Sequence, residues 1–387
     1  MCEKERNGEI KMKKKKKEII TATTLIILIL IGLVLGSLKQ PKELLPQSDL
    51  KVVMITDSGS IDDKSFNQGT WEGIERYEAE VGGIDASYLT PSENSTEAFL
   101  TSIDNAVLSG ADVIVTPGFA FEEAIGKAQY QYPRIKFVLV DGQPLTGEGY
   151  QIEKNVQSIA FKEHEASFLA GVATALTSQT QKVGFIGGVQ VPAVEKLGRG
   201  FVSGVAYANE KLGTAIEVVD YIYQGTFTDT QAGQMIASGM FDKGVDVILQ
   251  ASGLVGVGAM AEAKLRTEAG DNVYIVGCDV DQYDSGLMSN GESIILTSAM
   301  KKLDEAVYQA LEDIQADNFK GGSSSVLGIA ENGVGLPSEN PNLADNVLET
   351  IESVKHLIQI GEIEVPASLE ETKDFLEANG MSSDIVK

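Results

Sequence analysis

Cysteine and histidine are nearly absent from this 387-residue chain, at two residues each. Cys2 and Cys278 lie on opposite sides of a long apolar segment, so a disulfide between them is not expected. No cysteine or histidine spacing suits zinc. His164, in FKEHEA at 161–166, has no metal-binding partner after it and reads as a solvated helix-face residue. With so few such groups a Ser-His-Asp or Cys-His hydrolase is a poor match. No nucleophile–base pair stands out, so an enzyme is not expected, and neither is a bound metal or cofactor. Positive charge is scarce too: 31 Lys and Arg stand against 56 Asp and Glu, for a net charge of -25. The first 18 residues hold eight Lys and Arg and four Glu, a surplus of +4, so everything after them carries -29. A body that acidic repels phosphate backbones, which argues against nucleic acid as a partner.

Charge is also missing from residues 19–38, IITATTLIILILIGLVLGSL, which follow five lysines at 13–17. Twenty uncharged residues suffice for a membrane-spanning helix, and the lysines before them favour the cytoplasmic side. The expected order is a cytoplasmic basic segment (1–18), a signal or anchor helix (19–38) and a linker (39–49), with the body outside the cytoplasm. VLGS at 34–37 has the shape of a lipoprotein processing box but carries Ser37 where the lipid-bearing cysteine belongs. An uncleaved anchor is therefore expected.

Apolar content of 43% with 40 glycines fits an α/β protein, and the length allows two lobes. The body repeats one order of elements. KVVMI at 51–55 parallels KVGFI at 182–186, GADVIV at 110–115 parallels GVDVIL at 244–249, and KFVLVD at 136–141 parallels VYIVGCD at 273–279. Helical spacing fills the gaps, as at 96–108 and 230–241. Strands alternating with helices imply parallel sheets with right-handed crossovers. Further segments read as a strand at 293–298, a helix at 300–313, a loop at 321–325, an edge strand at 327–334 and helices at 346–357 and 368–378. The expected lobes are 50–160 plus about 278–312, and 161–277 plus about 313–387.

Three carboxylates, Asp57, Asp141 and Asp279, each end a buried strand. One such acid is an ordinary turn or cap residue. Three at one topological position converge on a crevice at the strands' carboxyl ends. Their paired acceptors suit sugar hydroxyls and base edges, and they repel phosphate. Ser65 is placed to cap a helix bearing Phe66 and Asn67. Phe66, among polar neighbours, is either an inward-packing ring or a cleft ring that stacks on a planar ligand. Phe227, in GTFTDT at 225–230, leaves the same choice open. Gly253 permits close backbone approach or a tight turn. Lys301, after the strand at 293–298, could offset three aspartates. A rival motif, Gly256-Val-Gly258-Ala-Met-Ala261, matches a dinucleotide fingerprint with Asp279 about twenty residues on. It makes an NAD-dependent oxidoreductase the competing reading.

The stretch MITDSGSIDDKSFNQGTWEG at 54–73 resembles the opening signature of the basic membrane protein (Bmp/PnrA-like) family. EASFLAGVA at 165–173, GRGFVSGV at 198–205, VGCDVDQ at 276–282 and TSAMKKLDEAVY at 297–308 agree in order. The resemblance implies a type I periplasmic-binding-protein fold, two Rossmann-like lobes with a ligand cleft at the hinge. It implies a receptor that binds purine nucleosides of the adenosine, guanosine or inosine class and serves an ABC permease; a monomer is expected. It places the base between Phe66 and Phe227, with further contacts from Asp57, Asn67, Asp141, Gly253, Asp279 and Lys301. Cys278 departs from the aliphatic residue common there and reads as a small buried hydrophobe. A membrane-anchored nucleoside sensor of the same fold is the alternative.

Overall fold

The computed structural model describes residues 49–57 and 59–386. The expected basic segment, anchor helix and nearly all of the linker lie outside these residues, as does Cys2. Among the described residues, no helix is long and apolar enough to cross a membrane.

β1 (Leu50–Ile55) is an apolar run with no polar alternation, as expected of a strand covered on both faces. It pairs in parallel with β2 (Ile84–Leu89) and β3 (Val113–Pro117); Val52 aligns with Ala86 on one side and Val113 on the other. β4 (Lys136–Val140) and β7 (Val156–Phe161) extend the sheet beyond β3. Helices α1 (Phe66–Glu80), α2 (Thr96–Leu108) and α3 (Glu122–Gln131) connect its strands. A small hairpin, β5 (Leu145–Thr146) with β6 (Gly149–Tyr150), precedes β7.

The second lobe repeats this pattern. It runs α4 (Glu163–Thr177), β8 (Lys182–Gly187), α5 (Pro192–Leu212), β9 (Glu217–Tyr223), α6 (Thr230–Asp242), β10 (Val247–Ala251), α7 (Leu254–Glu268) and β11 (Tyr274–Asp279). The two sheets share one spatial order, β2-β1-β3-β4 and β9-β8-β10-β11, so the repeat read in the sequence is a repeat in space.

After β11 the chain departs from the expected lobe boundaries. β12 (Ile295–Lys301) pairs in parallel with β11 and extends the second sheet, although 278–312 was expected in the first lobe. α8 (Leu303–Gln315) does return to the first lobe and packs on α1. Gly69 and Gly73 of α1 present no side chain there, so Leu303 and the Asp304 backbone come close. β13 (Ser323–Leu327) then forms the outer strand of the first sheet beside β7, although 313–387 was expected in the second lobe. β14 (Val334–Gly335) pairs antiparallel with β12, and α9 (Asp345–Gln359) and α10 (Leu369–Ala378) pack on α4 and α5.

The chain thus passes between lobes at Lys162, at Lys302 and through residues 328–333. These passages are tied together: Lys162 N–H donates to the Leu327 carbonyl at 3.0 Å and Lys302 N–H to that of Gly333 at 2.9 Å. The Ile329 N–H donates to the Glu165 carboxylate at 2.7 Å.

The dinucleotide-like glycines have another use. Gly256 and Gly258 lie inside α7, not in a loop before it. A side chain at Gly258 would strike the Thr230 carbonyl of α6, and one at Gly256 the Gln250 side chain. Gly258→Val is expected to force α6 and α7 apart and cost at least about 1–3 kcal/mol, read as a lower denaturation midpoint in urea.

Candidate ligand-binding cleft

Where β1 ends, Asp57 is locked to the start of α1. Its N–H donates to Asn67 Oδ1 at 3.2 Å, and Asn67 Nδ2 donates to Asp57 Oδ1 at 2.7 Å and to Asp63 Oδ2 at 2.8 Å. Both amide protons of Asn67 are therefore engaged within the protein. Asp63 also accepts from the backbone N–H groups of Ser65, Asn67 and Gln68 at 2.9–3.1 Å. It is Asp63, not Ser65, that caps α1. The Ser65 side chain makes no cap bond; its hydroxyl donates instead to the Asp279 carboxylate of the other lobe. Burial pushes the Asp57 and Asp63 carboxyls above their ordinary range, against the hydrogen bonds they accept.

Asp141 follows β4 and Asp279 closes the equivalent β11, and the two share an unusual backbone, with φ of 61° and 67°. This left-handed conformation is rare outside glycine, though aspartate tolerates it better than most residues. It occurs at the same point of both lobes. Lys301 joins the two acids: its Nζ lies 2.8 Å from Asp141 Oδ2 and 3.0 Å from Asp279 Oδ1. Lys301 is the last residue of β12, inside the strand rather than beyond it, and is only 4% exposed. Burial opposes the charge on its ammonium, but Asp141 and Asp279 outweigh that and raise its pKa. For Asp279, burial likewise works against the charge, yet Lys301 and the Ser65 hydroxyl hold its carboxyl below the usual range. The same ammonium sits 4.6 Å from the centre of the Phe66 ring.

These groups line a cleft between the lobes, about 800 Å³ counted to its open mouth. All eight residues singled out in the sequence border it: Asp57, Phe66, Asn67, Asp141, Phe227, Gly253, Asp279 and Lys301. Phe66 comes from the first lobe and Phe227 from the second, and both rings are half-buried. Phe227 rests where side chains at Gly188 or Gly253 would intrude. Gly253 has φ 57° and ψ -128°, a region essentially confined to glycine.

Sequence reasoning missed part of the lining. Asp63, Ser65 and Gly118 border the cleft, as do Val191, Val194 and Leu197 at the start of α5. The last three supply an apolar wall that no motif announced, since apolar residues around a helix start look like ordinary core. Cys278 is buried as expected, at the cleft floor. His164 is not solvated: it is buried where α4 meets α5, and burial, followed by Lys196, pushes its imidazole down to about 4. Among the described residues, no cluster of acids, histidines and cysteines is placed to hold a metal ion.

The family described as ABC transporter substrate-binding protein PnrA-like (Bmp) matches residues 50–369. The CD4+ T-cell-stimulating antigen of Listeria monocytogenes is 34% identical over 355 residues, covering 87% of this chain and 96% of that protein. The ABC transporter nucleoside-binding protein BmpA of Lactococcus lactis is 30% identical over 332 residues, covering 83% and 90%. A crystal structure of an ABC transporter system solute-binding protein from Aeropyrum pernix superposes with a TM-score of 0.73 at 27% identity, covering 86% and 99%. With two parallel-sheet lobes and this span of agreement, the chain belongs to the Bmp family of PnrA-like ABC transporter substrate-binding proteins, which bind solutes and are not enzymes.

Proposed function

We propose that this chain captures purine nucleosides in the cleft between its lobes and delivers them, as a monomer held at the outer face of a membrane, to an ABC permease. The observation that carries this reading is the pairing of Phe66 and Phe227, one ring from each lobe, around a floor of Asp57, Asp141, Asp279 and Lys301. Two aromatic faces suit a planar base. Carboxylates suit ribose hydroxyls, which donate to them, and the same carboxylates disfavour phosphorylated ligands. The name of the Lactococcus lactis relative supports the ligand class. Lobe closure over the ligand, with the three interlobe passages absorbing the change, gives capture and release without chemistry.

Calorimetric titration of the full-length protein, unfolded and refolded to strip carried-over ligand, tests the proposal. The panel is adenosine, guanosine, inosine, cytidine, ribose, galactose, NAD and a nucleoside monophosphate. Purine nucleosides are expected to bind tightly and the monophosphate far more weakly. Phe66→Ala and Phe227→Ala are each expected to cost about 1–3 kcal/mol of affinity, roughly 5- to 150-fold. Binding of ribose, galactose or NAD alongside silence toward nucleosides overturns the assignment.

A further inference from the structure

Glu163 opens α4 just after the first interlobe passage and is only 1% exposed. Beyond Lys196 and its own backbone N–H, neither of its carboxylate oxygens has a hydrogen-bond partner among the described residues. The charges that act on it come from three elements: Asp141 from the end of β4, Lys196 from α5, and Lys301 from β12. Lys196 Nζ lies 3.3 Å from Glu163 Oε1. On its own helix, His164 is neutral and Glu165 pairs with Lys162 at 3.4 Å. Asp141, Asp279, Lys301 and Lys196 balance as two negative and two positive charges. An ionised Glu163 adds one uncompensated negative charge to a buried cluster, and Asp57 adds to that surplus; a proton on Glu163 removes its share. Glu163, Lys196 and Lys301 belong to the second lobe and Asp141 to the first. The Glu163–Asp141 repulsion therefore acts across the interlobe boundary, and the lobe closure proposed above is the motion that would alter it.

We propose that Glu163 is a positioning residue that couples ligand capture to uptake of a proton, by neutralising the charge behind the Asp141–Lys301 contact when the lobes close. Burial and the Asp141 carboxylate push its own carboxyl up to about 7, in the range where such coupling is felt. The inference rests on the nucleoside reading, and its test separates the two.

Inosine and guanosine are titrated into the full-length protein at pH 6, 7 and 8, in buffers of small and large ionisation heat. Affinity is expected to fall several-fold from pH 6 to pH 8, with uptake of up to one proton per ligand. Glu163→Gln is expected to keep its low-pH affinity at pH 8 and to take up no proton, which a merely structural role would not produce. Lys196→Gln, at a partly exposed position, is expected to shift the fall to higher pH. A flat profile in the unmodified protein, or an unchanged slope in Glu163→Gln, overturns the proposal. If no nucleoside binds at any pH, the capture reading fails and ligand-free melting decides the charge claim. A carboxyl raised on folding makes stability fall as pH rises from about 4.5 towards 7, then level off. The unmodified protein should therefore lose stability relative to Glu163→Gln over that window, and parallel melting curves would overturn the claim.

Discussion

Lys301→Met is expected to lower folding stability by about 3–5 kcal/mol, the usual result of removing one partner from a buried ion pair. The cation is held 2.8 Å and 3.0 Å from two carboxylates that have little access to water. Methionine fills much the same volume but leaves Asp141 and Asp279 facing each other with no counter-charge. Both acids sit in left-handed backbone, so neither can relax easily by turning away. Urea denaturation at pH 7 gives the loss. At about pH 4 the deficit should shrink, because protonating the stranded carboxylates removes their charge. A variant as stable as the parent at pH 7 would mean that the cleft floor is wetter than its burial indicates.

Asp279→Ala is expected to weaken purine-nucleoside binding by at least about tenfold. Under the proposed reading the carboxylate accepts from ligand hydroxyls, and a hydrogen bond to a charged group is worth about 1.5–3 kcal/mol. It also takes part in two contacts that join the lobes, from Ser65 and from Lys301. Loss of the side chain thus removes both a ligand contact and part of the closed arrangement. Calorimetry with circular dichroism separates loss of affinity from loss of fold. Binding within threefold of the parent would place the ligand away from this end of the cleft.

The repeated strand–helix units were legible because buried parallel strands are written as apolar runs, and each lobe has three of them in the same order, β1, β3 and β4 against β8, β10 and β11. The three strand-end aspartates were legible for the same reason, since their position follows from the strands. The late segments were harder. β13 is Ser-Ser-Ser-Val-Leu, half-exposed at a sheet edge, and its polar start reads as a loop. The expected edge strand at 327–334 is instead an interlobe passage ending in the two-residue β14. β12 carries the apolar character of a central strand, but nothing in it states which sheet it joins; that depends on pairing with β11 across 15 intervening residues. The role of Asp63 was hidden because two adjacent aspartates and a serine all suit a helix start. His164 was misjudged because burial by α5 is a tertiary fact that helix position alone does not encode.

The placement of β13 has a consequence for how the protein is made. The first sheet borrows its outer strand from residues 323–327, after the chain has built almost all of the second sheet. A ribosome releasing this chain from its N-terminus therefore cannot yield a finished first lobe until more than four-fifths of the polypeptide has emerged. Domains that are contiguous in sequence can fold one by one during synthesis. Here, α8 and β13 reach the first lobe only after β12 has joined the second, so the halves must mature together. A fragment ending before residue 323 would leave the β7 edge open, a template for unwanted strand pairing. Expressing either lobe alone thus calls for a circular permutation or a stitched chain rather than a simple truncation.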